Sequence, residues 1–135
     1  MVFKESLLTN VDRSGARKVK VFHPYSRLRR RFARVGEYVK VAVKSLERWP
    51  ARIRGKRYRP TRIGFILRCL VISTTFNKAI GSCLRVKVPH NTTLTIKKRG
   101  VIKSPYILGP MSRPARVKKF YYIFDTVFSN GHITS

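Results

Sequence analysis

Five arginines fall within the stretch from Arg27 to Arg34: Arg27, Arg29, Arg30, Arg31 and Arg34. Guanidinium groups present planar donor forks that match phosphate oxygens, so a dense group of them suits a polyanion. Three more cationic groups follow. Arg48, Arg52, Arg54, Lys56, Arg57 and Arg59 crowd a segment that also holds Trp49 and Tyr58. Lys97, Lys98 and Arg99 precede Gly100, and Arg113, Arg116, Lys118 and Lys119 lie close together further on. Arg17, Lys18 and Lys44 stand singly in stretches of alternating pattern. All of these are candidate contacts to nucleic-acid phosphates. Trp49 and Tyr58 suit stacking on unpaired bases; packing of Trp49 over the end of a β core is the equally open structural reading.

The whole chain carries the same bias. Its 135 residues include 31 Lys and Arg against 5 Asp and Glu, a formal charge of +26. Such self-repulsion works against a compact state unless a polyanionic partner is present. A nucleic-acid backbone supplies one, with counterion release as the driving term. At 43% hydrophobic residues the chain has the material for a core and is no disordered basic tail. No apolar run approaches the roughly 18 residues that a membrane-spanning helix needs, and the cations do not gather on one amphipathic helix. A membrane-active role is therefore disfavoured.

Catalysis has little to work with. The acids are Glu5, Asp12, Glu37, Glu47 and Asp125, and no two stand at a spacing that suggests a shared site. There is no glycine-rich phosphate loop of the Walker or Rossmann type. Cys83 and His90 straddle a turn, but two ligands do not make a zinc site, and His23 has no partners at metal spacing. The sequence leads us to expect no enzyme, no metal and no cofactor. Cys69, in an apolar strand, is expected to be a buried thiol.

The elements that must position the cations are mainly strands. Ser6–Val11 is expected to be a first strand, closed by the turn Asp12-Arg13-Ser14-Gly15, where Asp12 and Ser14 can bind nearby backbone N–H groups. Arg17–Phe22 alternates Val19 and Val21 with Lys18 and Lys20, and His23-Pro24-Tyr25-Ser26 breaks that pattern. Tyr38–Lys44 has a strict period of two, with Val39, Val41 and Val43 on one face. Proline and glycine make a long helix unfavourable in Arg48–Thr61. Gly64–Thr74 is apolar on both faces apart from Arg68, as in a strand covered on both sides. Leu84–Val88 and Thr92–Lys97 alternate again, the latter with Leu94 and Ile96 expected inward. Tyr106–Leu108 is short and apolar, a short helix is expected near Pro114, Phe120–Phe128 is expected to pack back on the core, and the tail from about residue 129 is expected to fray. The chain has no linker or repeat, which leads to one domain over 1–135. Its start lacks a signal-peptide core and an Arg/Ser-rich transit segment, so folded sequence is expected almost at once.

Four of these segments resemble the universal family of large-subunit ribosomal protein fourteen. Asp12-Arg13-Ser14-Gly15-Ala16-Arg17-Lys18 resembles the family's Asp-Asn-Ser-Gly-Ala-Lys/Arg turn. Arg30-Arg31-Phe32-Ala33-Arg34-Val35-Gly36-Glu37 resembles its Arg-Arg-Tyr-Ala-Arg-Val-Gly-Asp loop. Gly64–Thr74 resembles its central strand, and Gly109-Pro110-Met111-Ser112-Arg113-Pro114-Ala115-Arg116 opens a segment that aligns without a gap to Phe120. The departures are Arg13 for Asn, Phe65 for Asp, Ser73 for Arg, a longer and more basic Arg48–Thr61 loop, and the missing Leu-Ala-Pro-Glu ending.

The resemblance implies a mainly β fold: a small five-stranded β-barrel with a projecting β-ribbon near Thr74–Asn91 and short C-terminal helical segments. It implies a structural constituent of the large ribosomal subunit that binds large-subunit rRNA at the subunit interface and helps form bridges to small-subunit rRNA. Neighbours implied are large-subunit proteins three and nineteen and a ribosome-silencing factor. High basicity, the long loop and the absence of a presequence favour a mitochondrial member over a bacterial or plastid one. The alternative is a free OB-like single-stranded nucleic-acid-binding protein, which should show an exposed strand face rich in aromatics; Tyr38 is the only aromatic in its strand.

Overall fold

Five strands pair in the cyclic order β2-β3-β5-β6-β7 and close into a barrel. They are β2 (Leu7–Asn10), β3 (Ala16–Pro24), β5 (Tyr38–Leu46), β6 (Ile66–Ser73) and β7 (Thr92–Ile96). Four two-residue strands accompany them: β1 (Val2–Phe3), β4 (Phe32–Ala33), β8 (Met111–Ser112) and β9 (Ile133–Thr134). The computed structural model describes residues 1–25, 31–47, 61–75, 89–97, 100, 102–104, 107–109, 111–112 and 133–134, the last two pairs by backbone alone. Neighbouring barrel strands are antiparallel except β2 and β7, whose parallel pairing (Thr9↔Thr92, Asn10↔Thr93) closes the ring.

The interior follows from the period of two. Val39, Val41 and Val43 of β5 meet Val19 and Val21 of β3, Leu8 of β2, and Cys69 and Val71 of β6, all fully or almost fully buried. Burying each such branched side chain is worth roughly 1.5–3 kcal/mol, and β-branched residues suit the pleated surface. The small sheet β1–β4 adds Val2 and Ala33 to the same cluster through the pair Val2↔Ala33.

β6 is apolar on both faces because a second layer covers its outside. Leu70 and Ile72 of β6 and Leu94 and Ile96 of β7 pack with Ile102 and Ile107, flanked by Val11, Val35 and Tyr38. The chain after β7 is held there by backbone bonds: Lys103 N–H donates to the Thr95 carbonyl at 3.0 Å, and Leu108 N–H to the Val11 carbonyl at 2.9 Å. The covering runs out towards the start of β6, where Phe65 and Ile66 are exposed.

Two strand expectations need correction. Leu94 and Ile96 are buried, but in this outer layer; Thr93 and Thr95 take the inward positions, opposite Val71 and Cys69. Threonine is tolerated inside because hydroxyls find partners there: Thr95 Oγ1 lies 3.2 Å from Ser14 Oγ. At His23 the alternation breaks as expected, but the strand does not end there. β3 continues through Pro24, opposite Lys40 and Val39, after a register shift beyond Val21. A bulge at a strand end accommodates proline, and Tyr25 N–H then donates to the Tyr38 carbonyl at 3.0 Å.

The expected Leu84–Val88 strand, the body of the Arg48–Thr61 loop, the ribbon tip, the helix near Pro114 and the packing of Phe120–Phe128 lie outside the described residues. Met111–Ser112 and Ile133–Thr134 pair in parallel.

Candidate nucleic-acid interface

The polar interior anchors the turns that carry the cations. Asp12 is 2% exposed and sits where β2 turns into β3. Its Oδ1 accepts from Ser14 N–H at 3.0 Å and from the Asn10 side-chain amide; its Oδ2 accepts from Thr95 N–H at 2.7 Å. Gly15, at φ +91°, completes the turn in the left-handed region that its missing Cβ makes accessible. Thr61 Oγ1 donates to the Ser14 carbonyl at 2.6 Å, and Lys103 Nζ donates to Thr61 Oγ1 at 2.7 Å. Burial lowers the Lys103 pKa, with the Asp12 charge opposing the shift. Asp12 and Ser14 thus form the turn as expected, and Asp12 also ties it to β7.

Arg31 and Arg34 flank β4, and both are exposed. The Arg34 guanidinium lies 5.7 Å from the Phe32 ring centroid, and Phe32 packs on Phe3 at 5.9 Å. A turn fixes the end of this arginine-rich stretch. Arg34 N–H donates to Glu37 Oε2 at 2.9 Å, Gly36 N–H (φ +81°) to the Val71 carbonyl at 2.8 Å, and Val71 N–H to the Glu37 carbonyl at 3.0 Å. Arg34 is therefore displayed from a backbone bolted to β6.

The outer face of β3 and β5 carries the second group. Lys18 and Lys20 project from β3, and Lys40 and Lys44 from β5. Glu5 pairs with Lys20; that hydrogen bond and charge, with smaller contributions from Lys4 and Lys44, hold its carboxyl below the usual range. It is the one ion pair between described residues on this face, and no described carboxylate pairs with Lys18, Lys40 or Lys44. Arg17 and Lys97 are exposed as well, Lys97 in the turn closed by Gly100 N–H donating to its carbonyl at 3.0 Å.

Of the candidate cations, Arg17, Lys18, Arg31, Arg34, Lys44 and Lys97 are described, and all six are exposed. Arg27, Arg29, Arg30, Arg48, Arg52, Arg54, Lys56, Arg57, Arg59, Lys98, Arg99, Arg113, Arg116, Lys118 and Lys119 lie outside the described residues, with Trp49 and Tyr58. The structure adds a group that the sequence reading did not assemble: Tyr25, Lys40 and Arg68. Lys40 Nζ and Arg68 Cζ lie 5.4 and 5.3 Å from the Tyr25 ring centroid, and His23 packs edge-on to that ring at 5.4 Å. The alternation of lysines on β3 and β5 was visible in the sequence. The register that sets Lys40 opposite both His23 and Arg68 was not.

The buried Asp12 carboxylate is engaged by two backbone N–H groups and the Asn10 amide. No group of three or more His, Cys, Asp or Glu among the described residues could hold a metal. Cys69 is a free thiol whose pKa burial, then the Asp12 charge, push up to about 12 against the pull of Thr95 and Thr93, which leaves it unreactive at neutral pH. The described residues thus form a small closed barrel with exposed cations across its outer strands and Asp12 tying a turn to β7, which places the chain in the class of basic β-barrel proteins.

The family model described as Ribosomal protein L14p/L23e matches residues 1–128. The chain belongs to that family, and with it to the structural proteins of the large ribosomal subunit, not to a family of enzymes.

Proposed function

We propose that this chain binds large-subunit rRNA at the face that meets the small subunit and helps form bridges to small-subunit rRNA. The observation that carries the reading is the charge imbalance. At +26, with 5 acidic residues against 31 Lys and Arg, the fold needs phosphate to offset its own repulsion. The family membership gives that phosphate its source. Arg17, Lys18, Arg31, Arg34, Lys44 and Lys97, with the cations of 27–30, 48–59, 98–99 and 113–119, neutralise rRNA phosphates that would otherwise repel each other. Phosphate contacts position a protein and base contacts specify it, so these residues supply affinity more than sequence choice. Large-subunit proteins three and nineteen are its neighbours, a ribosome-silencing factor docks on it, and the ribosome is that of a mitochondrion. The chain acts as one domain.

Ultraviolet crosslinking of native large particles, with adducts mapped by mass spectrometry, tests the reading. Large-subunit rRNA adducts are expected on peptides covering 27–34 and 113–119, and small-subunit adducts only when the subunits are joined. A particle-bound chain with no RNA adduct on any cationic segment would reject rRNA binding. Unchanged adducts on joining would reject the bridge.

A further inference from the structure

The group around Tyr25 has a feature that phosphate neutralisation in general does not explain. Lys40 and Arg68 are direct cross-strand partners on β5 and β6. Like charges set directly opposite destabilise a sheet. Among the described residues no carboxylate forms an ion pair with either. The group between them is an aromatic ring, Tyr25, 37% exposed and reached by both cations. Its backbone is fixed by the bond to the Tyr38 carbonyl, and its edge is set by His23 at an interplanar angle of 87°. Burial would raise the phenol's pKa, but hydrogen bonds and charge from Lys40 and Arg68 outweigh it and lower it. The site is thus short of negative charge, and it holds an oriented aromatic surface beside that deficit.

We propose that the outer face of β3, β5 and β6 holds one unpaired RNA nucleotide, its phosphate bridging Lys40 and Arg68 and its base lying against the Tyr25 ring. An ammonium brings three donors and a guanidinium five, so both reach a phosphate while still flanking the ring. Stacking needs only the π-face of a base and accepts any of the four. The seat lies on an open sheet face and not in a cavity, so it suits a nucleotide held in place by the rest of a large RNA, with its base unstacked from the helix. In sequence Tyr25 stands two residues before Arg27, at the start of the densest arginine group of the chain. The proposal rests on the rRNA-binding reading and adds to it a particular nucleotide conformation at three residues that are not among the candidate contacts named from the sequence.

Native large particles are treated with a small amine-acylating reagent, and Lys40 labelling is compared with that of the salt-released chain. The same particles are irradiated, and Tyr25 adducts are mapped. Lys40 should be labelled about tenfold less in the particle, and Tyr25 should carry a single-nucleotide adduct. Particles built with Tyr25→Ala should regain most of that roughly tenfold loss of Lys40 labelling, since one base–aromatic stack is worth about 5-fold or more. Tyr25→Phe, which keeps the ring, should not. A particle-bound chain whose Lys40 labels like the free chain overturns the proposal and leaves rRNA binding by the other segments intact. Lys40 protection with Tyr25 crosslinked to protein also overturns it. A chain missing from the particle fails the parent reading and takes the proposal with it.

Discussion

Replacing Asp12 with alanine should destabilise the barrel more than any exposed charge change. The Asp12 carboxylate is the acceptor for two backbone N–H groups, those of Ser14 and Thr95, and for the Asn10 amide. The bond to Thr95 spans 83 positions of sequence and ties the β2–β3 turn to β7 next to the closing seam of the barrel. In Asp12→Ala both N–H groups lose their partner in a buried setting, where each orphan costs roughly 1–3 kcal/mol. The sum is about 2–6 kcal/mol, a large part of the roughly 5–15 kcal/mol that a domain has in total. For a chain of this size that is a fall in midpoint of about 7–21 °C. Asp12→Asn keeps one acceptor but turns an NH2 towards a backbone donor, so its loss should be about half as large. Thermal unfolding of the full chain, in enough salt to screen the +26 charge, measures both. An Asp12→Ala midpoint within about 2 °C of wild type, the shift expected of a neutral surface change, would refute the argument that this carboxylate holds the turn to β7.

Other outcomes follow from the same structure. Cys69, its pKa raised from 9.0 to about 12, keeps its proton longer folded than unfolded. Its stabilisation is complete below pH 9 and is lost as pH rises through 12, by about 4 kcal/mol at roughly 1.4 kcal/mol per unit. Unfolding curves between those limits should therefore fall less steeply for Cys69→Ala than for wild type. In a Cys83→Ser background, iodoacetamide at pH 8 should label Cys69 only after denaturation. Gly15→Ala should cost about 1–2 kcal/mol by the same unfolding assay, because φ +91° strains any residue with a Cβ, while the nearest atom to that Cβ, Thr61 Cβ at 3.6 Å, leaves ordinary room. Glu5→Gln removes an exposed ion pair with Lys20 and should leave the unfolding midpoint unchanged, since such pairs contribute little.

Much of the barrel was legible because one kind of signal, alternation, was strong where one face is buried. Val39, Val41 and Val43 on β5 and Val19 and Val21 on β3 announce the interior directly. The same signal misleads on β7. Thr93 and Thr95 alternate with Leu94 and Ile96, and the polar set points inward, because the apolar set meets a second layer built from Ile102 and Ile107. No local pattern reports that a later segment will cover the outside of a strand. Pro24 read as a strand end, yet a bulge carries β3 past it. At the candidate interface, the exposed cations of β3 and β5 were readable one by one. The Tyr25–Lys40–Arg68 group was not, because its members come from β5, β6 and the residue just past β3, and meet only through register. Asp12 read as a turn former, which it is; its bond to Thr95 depends on barrel closure, which is a property of the whole fold.

The central claim is that this barrel is an integral, RNA-held part of the large ribosomal particle. Sedimentation of a native lysate, with the chain followed through gradients at moderate and then high salt, tests it most directly. The account predicts that the chain travels with the large particle and remains there after loosely held basic proteins are washed away. Release into light fractions, with salt-sensitive binding to any RNA or DNA, would contradict it and leave a free single-strand binder built on the same fold.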